Sequence, residues 1–265
     1  MKEQILQYLS PEYPWKEQFY CLPEVDSTND RLKVLAAAGA PHGTAVLSDR
    51  QTGGHGRRGR SFLSPAGVGI YLSILLRPGC APAQLMHLTC ATGVAMCDAV
   101  EKSAHFRPGI KWTNDLVSGS RKLGGILTEL RLDAQGLVDY AIIGIGINCC
   151  QCEWDFPPEI RSIAGSLAMV SGQEIDRCRV AAAELDALYA MSRVLLTGKT
   201  EILEQYRRDC ITIGQDVSLV RGDEVRHGKA LSVDDDGALV VRFPDGHTEV
   251  VNSGEVSVRG MYGYV

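Results

Sequence analysis

The chain has 265 residues, with 27 Lys plus Arg against 32 Asp plus Glu, so its formal net charge is −5. Hydrophobic residues at 45% and charged residues at 22% suit a folded globular chain and exclude intrinsic disorder, while the acidic balance argues against a dedicated nucleic-acid binder. Nine cysteines are too few for a disulfide scaffold in a chain this long.

Residues 1–9 form a short helix by pattern, with no apolar run of signal-peptide length. A strand is expected at 19–25. Ser27 then reads as a helix cap with Asp30 three residues later, and Gly39 ends that helix. Residues 44–48 form an apolar strand that runs into the basic, glycine-rich segment 51–60, and 70–76 form another strand. The uncharged stretch 78–97 holds Pro82, Gln84 and His87, so it is a buried helix and not a membrane span. Leu85, Leu88, Ala91 and Ala95 mark one face of that helix. Residues 124–131 and 137–147 are paired strands joined by the turn Asp133-Ala134-Gln135-Gly136. Ala181, Leu185, Leu188, Met191 and Leu195 repeat at helical spacing, and a second helix spans 200–209.

Past residue 213 the pattern turns to short β segments at 217–220, 225–233, 238–243 and 248–251, with Asp236-Gly237 and Asp245-Gly246 as turns. The chain therefore divides into a larger α+β domain, residues 1–212, and a small β-barrel-like domain, residues 213–265.

Four segments can carry chemistry. Gln51-Thr52-Gly53-Gly54-His55-Gly56-Arg57-Arg58-Gly59-Arg60 packs four glycines and three arginines into ten residues. Glycines let backbone approach a ligand, and arginine forks suit phosphate or carboxylate. The segment has neither a phosphate-loop Gly-Lys-Ser/Thr ending nor dinucleotide spacing, and it is equally readable as a solvated basic loop or a nucleic-acid patch. Lys111-Trp112-Thr113-Asn114-Asp115 reads either as a strand-turn-strand or as a ligand edge, with Asp115 as a base or a water-mediated metal ligand. Lys122 precedes the glycine pair Gly124-Gly125, where a lysine can set a point charge over a ligand lying on bare backbone. Gly144-Ile145-Gly146-Ile147-Asn148 leaves one strand face open, for a flat ligand or for a close helix contact. The cluster Cys149, Cys150, Cys152 has no second pair at metal-site spacing.

Taken in order from Asp26-Ser27-Thr28-Asn29 to Asn148, these segments closely resemble the biotin protein ligase family. The resemblance implies an α+β fold: a mixed β-sheet flanked by helices, like the class II aminoacyl-tRNA synthetases, plus a C-terminal SH3-like β-barrel. It implies ATP-dependent activation of biotin to biotinyl-5′-adenylate, then transfer to a lysine of a biotin carboxyl carrier protein, with Mg²⁺ beside the triphosphate. Residue by residue, it implies that Ser27, Thr28, Asn29, Gln51, His55, Gly56, Arg57, Lys122 and Gly125 contact biotin. Gly54, Arg57, Arg58, Arg60, Lys111, Trp112, Asn114 and Asn148 meet the nucleotide, and Lys122, Arg57 and Asp115 are catalytic, Asp115 also standing near Mg²⁺.

Two departures stand out. His55 occupies the place of the first arginine in the family's Gly-Arg-Gly-Arg-Arg-Gly loop, and Phe62 stands where the family often has Trp. Only 25 residues precede Asp26, too few for the winged DNA-binding domain of some members, so a ligase that is not a repressor is expected. The same reading expects a cytoplasmic protein, monomeric or homodimeric, that binds neither DNA nor membrane. A lipoate or octanoate ligase on a related fold, or a nucleic-acid-binding module, is the alternative.

Overall fold

In the computed structural model, residues 1–252 and the strand at 257–260 are described. The elements in chain order are α1 (Lys2–Tyr8), β1 (Phe19–Val25), α2 (Thr28–Ala37), β2 (Ala45–Gln51), β3 (Gly69–Leu76), α3 (Leu88–Ala104), β4 (Gly109–Lys111), β5 (Asp115–Ser118), β6 (Arg121–Leu132) and β7 (Val138–Asn148). They continue with α4 (Leu167–Ser171), α5 (Arg177–Val194), α6 (Lys199–Asp209), β8 (Asp216–Arg221), β9 (Glu224–Val233), β10 (Leu239–Arg242), β11 (Thr248–Val251) and β12 (Ser257–Gly260).

Seven strands form a mixed sheet in the order β1-β2-β3-β7-β6-β5-β4, with β1 and β2 parallel and the rest antiparallel. Five more form an antiparallel sheet in the order β11-β10-β9-β8-β12. This is the α+β layout with a separate C-terminal β unit that the patterning implies. Lys111 to Asp115 forms a strand-turn-strand in which β4 and β5 pair Lys111 with Asp115, so Asp115 opens β5 and is not a turn residue, while the segment stays available as a ligand edge. The helix expected around 85–95 runs further, because Leu85 closes a 3-10 turn and α3 continues to Ala104. No described helix is long and apolar enough to cross a membrane.

The two faces of the sheet are sorted by the two-residue period of a strand. Ile70, Leu72, Ile74 and Leu76 of β3, with Ile143, Ile145 and Ile147 of β7, join the large core under α3 and α5. Leu75, Tyr140 and Ile142 point the other way and pack with Leu32 and Ala36 of α2. Further along that second face β7 presents Gly144 and Gly146, so the α2 side of the sheet is filled at one end and hollow at the other. A strand glycine costs about 0.5–1 kcal/mol relative to alanine. Each buried isoleucine opposite contributes roughly 1.5–3 kcal/mol, so β7 keeps its place despite the glycines.

The C-terminal sheet is fastened to the larger one by its β9–β10 turn. Asp234 Oδ1 accepts from the N–H groups of Asp236 and Ala238, and Gly237 takes φ +83°, where only glycine is unstrained. Around that turn Arg207 donates to Val233 O at 2.7 Å, Lys199 pairs with Asp236 at 2.7 Å, and the indole of Trp112 donates to Gly237 O at 2.9 Å.

Candidate functional site

The hollow over Gly144 and Gly146 is closed by the start of α2. Ser27 caps that helix in an extended conformation, accepting from Asp30 N at 3.4 Å, which brings Thr28 and Asn29 over the sheet. A Cβ on Gly144 would meet Asn29 Oδ1 at 2.2 Å, and one on Gly146 would meet Phe62 Cε1 at 2.5 Å. The alternating glycines therefore serve both readings offered for them: they admit a close helix contact and leave a cavity beside it.

A continuous hydrogen-bond network lines this cavity. Gln51 Oε1 accepts from both Thr28 N (2.8 Å) and Thr28 Oγ1 (3.0 Å), while Gln51 Nε2 donates to Ser64 Oγ at 2.9 Å. The buried Ser73 Oγ lies 2.8 Å from Thr28 Oγ1 and donates to Asn29 Oδ1 at 2.6 Å. Asn29 Nδ2 donates to Glu129 Oε2 at 2.8 Å, and Lys33 bridges Glu129 (2.8 Å) and Asp30 (2.9 Å). Polar side chains at the start of α2 are thus pre-set before any ligand arrives.

The basic segment folds over this wall as a tight hairpin. Phe62 N donates to Gly54 O and Gly56 N to Arg60 O, with Arg58 at φ +58° and Gly59 at φ +72° turning the tip. Gly54 is needed because a Cβ there would lie 2.5 Å from Phe62 O. His55 Nε2 sits 2.8 Å from Asp30 Oδ2, tying the hairpin to α2. Burial raises the Asp30 carboxyl, but Lys33 and His55 outweigh it and hold the group below the usual carboxylate range.

Arg57 reaches back from the hairpin and donates to Asn114 Oδ1 at 2.8 Å, and Asn114 Nδ2 donates to Ile126 O. Burial lowers the Arg57 guanidinium below its ordinary value, with the Asp115 charge opposing. On β6, Lys122 Nζ donates to Asp115 Oδ1 at 2.7 Å. A Cβ on Gly125 would stand 3.3 Å from that ammonium, so the bare backbone of Gly125 makes the room the pair occupies.

Ser27, Thr28, Asn29, Gln51, His55, Gly56, Arg57, Asn114, Lys122 and Gly125 line one cavity of about 60 Å³, together with Phe62, Gly144 and Gly146. Asp115 lies beneath Lys122. Arg57 and Arg58, with Thr89, Thr113 and Thr128, line an adjoining cavity of about 290 Å³ that shares Arg57, Ile126 and Leu127 with the first.

Other expected site residues line neither cavity. Gly54 shapes the hairpin base, and the Arg60 carbonyl closes the hairpin. Lys111 is buried on β4, opposite Asp115 in register. Trp112 is 5% exposed and its indole N–H donates to Gly237 O, which ties the turn after β4 to the C-terminal sheet. Asn148 is buried and bonded through Nδ2 to Gly165 O. Conversely, Ser73 and Glu129, which the motifs did not select, bond to the cavity residues Thr28 and Asn29 from behind. The available signal for Ser73 was a lone hydroxyl between Leu72 and Ile74 in an otherwise apolar strand.

Residues 21–148 match the model of the biotin/lipoate A/B protein ligase family, and residues 212–259 match that of the biotin protein ligase C-terminal domain. The biotin--[acetyl-CoA-carboxylase] ligase of Mycobacterium tuberculosis is 33% identical over 91% of this chain and 89% of its own length. The bifunctional ligase/repressor BirA of Bacillus spizizenii is 35% identical over 86% of this chain and 70% of its own. Among solved structures, the biotin protein ligase of Aquifex aeolicus in complex with biotin and ATP shares 31% identity and a TM-score of 0.77, covering 91% of this chain and 98% of that one. With its two cavities built on the motif segments and its C-terminal sheet matched as well, the chain belongs to the biotin protein ligase family.

Proposed function

We propose that this chain joins biotin to ATP, giving biotinyl-5′-adenylate and pyrophosphate, and then passes the biotin to a lysine of a biotin carboxyl carrier protein. In the first step the biotin carboxylate oxygen attacks the α-phosphorus and the bond to pyrophosphate breaks. In the second, the carrier amine attacks the activated carbonyl and AMP leaves.

The observation that carries this reading is the Lys122–Asp115 pair beside Gly125, with Lys122 lining the polar cavity and Arg57 shared between that cavity and the adjoining one. Two anions must meet in the first step. A fixed ammonium between carboxylate and α-phosphate offsets their repulsion and stabilises the charge that develops. Ser27, Thr28, Asn29 and Gln51 present the hydroxyl and amide groups that a ureido ring requires. Arg57, between the cavities, is suited to the phosphate, with Arg58 and Asn114 beside it. His55 and Gly56 cover the first cavity as part of a lid. Asp115, released from Lys122 as that ammonium turns to the ligand, is the candidate base for the incoming amine.

Among the described residues no cluster of three acidic, His or Cys side chains forms a ready-made metal cage. Mg²⁺ prefers to travel on nucleotide phosphates with one or two carboxylates assisting, and Asp115 fits that part. When bound, the ion supplies charge neutralisation for pyrophosphate departure.

We further propose ligation without repression. What supports this reading is that α1 buries Ile5 in the core and so does not present itself as a reader helix. The test is incubation with ATP, Mg²⁺ and either biotin or lipoate. Pyrophosphate release with biotin, followed by biotin on a single carrier lysine, is expected. Release with lipoate alone overturns the biotin assignment, and site-specific gel shifts with biotin present overturn the non-repressor one.

A further inference from the structure

Asn29 and Lys33 stand one turn apart on α2, and both reach the same carboxylate on the sheet below. Glu129 lies on β6 two residues beyond the cavity residue Leu127, on the same face, and opposite Ile142 of β7 in register. Ile142 belongs to the cluster that packs with Leu32 of α2, so Glu129 stands where the hollow end of this face gives way to the filled one.

The two oxygens of Glu129 serve different partners. Oε2 accepts from Asn29 Nδ2 at 2.8 Å, and Oε1 pairs with Lys33 Nζ at 2.8 Å. A carboxylate only accepts, so it fixes which end of the Asn29 amide faces it, while Ser73 Oγ donates to Asn29 Oδ1 from the other side. Asp30 repeats the arrangement further out. Its Oδ1 pairs with Lys33 Nζ at 2.9 Å, and its Oδ2 lies 2.8 Å from His55 Nε2 on the hairpin.

The result is an unbroken chain, Asn29–Glu129–Lys33–Asp30–His55, from the wall of the first cavity to the hairpin that covers it. Lys33 sits at its centre, between two carboxylates that would otherwise repel. Burial draws the Lys33 ammonium down, but Glu129 and Asp30 outweigh it and hold the group above its ordinary range. Anchored by Glu129, Lys33 keeps Asp30 turned toward His55. Without that anchor Asp30 loses the partner of one oxygen and is free to swing away from the hairpin. Lys33 and Glu129 themselves line neither cavity.

We infer, on the reading of the first cavity as the biotin site, that Glu129 and Lys33 are positioning residues that tie closure of the hairpin to the setting of Asn29. Neither touches a reacting atom.

The experiment is a double-mutant cycle of Glu129→Gln and His55→Ala. It is read by the rate at which labelled biotinyl-adenylate, formed in place from ATP and biotin, dilutes out of the purified protein. Glutamine keeps an acceptor for Asn29 and loses the charge that holds Lys33, so it cuts the chain at one link. Each single variant is expected to speed escape by about 2- to 5-fold, the scale of one partly solvated ion pair. The double variant releases adenylate no faster than His55→Ala alone, because the contact that Glu129 steadies is already gone. Lys33→Gln must reproduce the behaviour of Glu129→Gln, and Lys33→Arg, whose fork can span both carboxylates, must restore slow escape. If Glu129→Gln does not fold, Lys33→Gln replaces it in the cycle, since that side chain is partly exposed. Effects that multiply in the double variant, wild-type escape from Glu129→Gln, or no rescue by Lys33→Arg overturns the coupling while leaving the biotin site in place. If the wild-type protein forms no adenylate from biotin and ATP, the biotin assignment falls and the coupling with it.

Discussion

Lys122 Nζ and Asp115 Oδ1 stand 2.7 Å apart across β6 and β5, with both side chains partly open to the cavity wall. An ion pair held this way before any ligand binds does two things. It keeps the ammonium ordered, and in the proposed mechanism it would reserve the carboxylate until the ammonium is drawn to a stronger anion. Lys122→Ala is expected to lower adenylate formation by about 10²- to 10³-fold, the scale of losing one fixed transition-state donor. The melting temperature should move little, because the pair is partly solvated and contributes little to stability. Asp115→Asn, given preformed biotinyl-adenylate, should slow transfer to the carrier by about 10²-fold or more. Transfer at the wild-type rate would remove Asp115 from the base role.

The contact between His55 and Asp30 turns a loop substitution into a measurable difference. Arginine at this position offers five donors in a fixed fork, against one or two on an imidazole. His55→Arg is therefore expected to hold the hairpin more firmly and to slow escape of biotinyl-adenylate into solvent. The measurement is the rate at which labelled adenylate dilutes out of the purified complex. A faster escape from the arginine variant contradicts the lid role.

Gly144 makes the position of Asn29 depend on the absence of a single carbon. Gly144→Ala puts a Cβ 2.2 Å from Asn29 Oδ1, and the start of α2 must shift. Overpacking of this kind costs about 1–3 kcal/mol. The loss should appear mainly in biotin affinity, by calorimetric titration, because the opposite face of β7 keeps its isoleucines. Unchanged biotin binding would place the ring elsewhere.

Glu184 on α5 is fully buried, and neither carboxylate oxygen has a hydrogen-bond partner. Burial alone pushes the Glu184 carboxyl well above the usual carboxylate range. The folded chain therefore keeps this proton at pH values where the unfolded chain has released it. Stability then falls as pH rises from the ordinary carboxylate range toward the raised value. Glu184→Met, near-isosteric and apolar, should remove that slope and stabilise the protein by about 1–3 kcal/mol at pH 8, less at pH 5. Denaturant titrations of both proteins across this range are the check, and a wild-type stability that is flat with pH contradicts it.

The fold was largely legible in the sequence where period and punctuation agree. The β6–β7 hairpin follows from two long apolar runs around Asp133 to Gly136, where Asp133 Oδ1 accepts from the N–H groups of Gln135 and Leu137. Strands β4 and β5 were harder to read. Each is three or four residues long and draws its burial from neighbours distant in sequence, such as Cys210 bridging to Ile110.

At the site, the sequence by itself determined which residue types meet: a capped helix start, a glycine–arginine hairpin, a lysine before paired glycines. These are local in the chain, and their chemistry depends on spacing. Only the tertiary structure decided which of them face a cavity. Trp112 and Asn148 sit inside the motifs and bond Gly237 and Gly165, residues 125 and 17 positions away. Ser73 lies outside the motifs yet bonds Thr28 and Asn29 from a strand more than forty positions distant. The physical reason is that a buried polar group must find a partner in space, and the chain settles that only when its sheets and helices have packed.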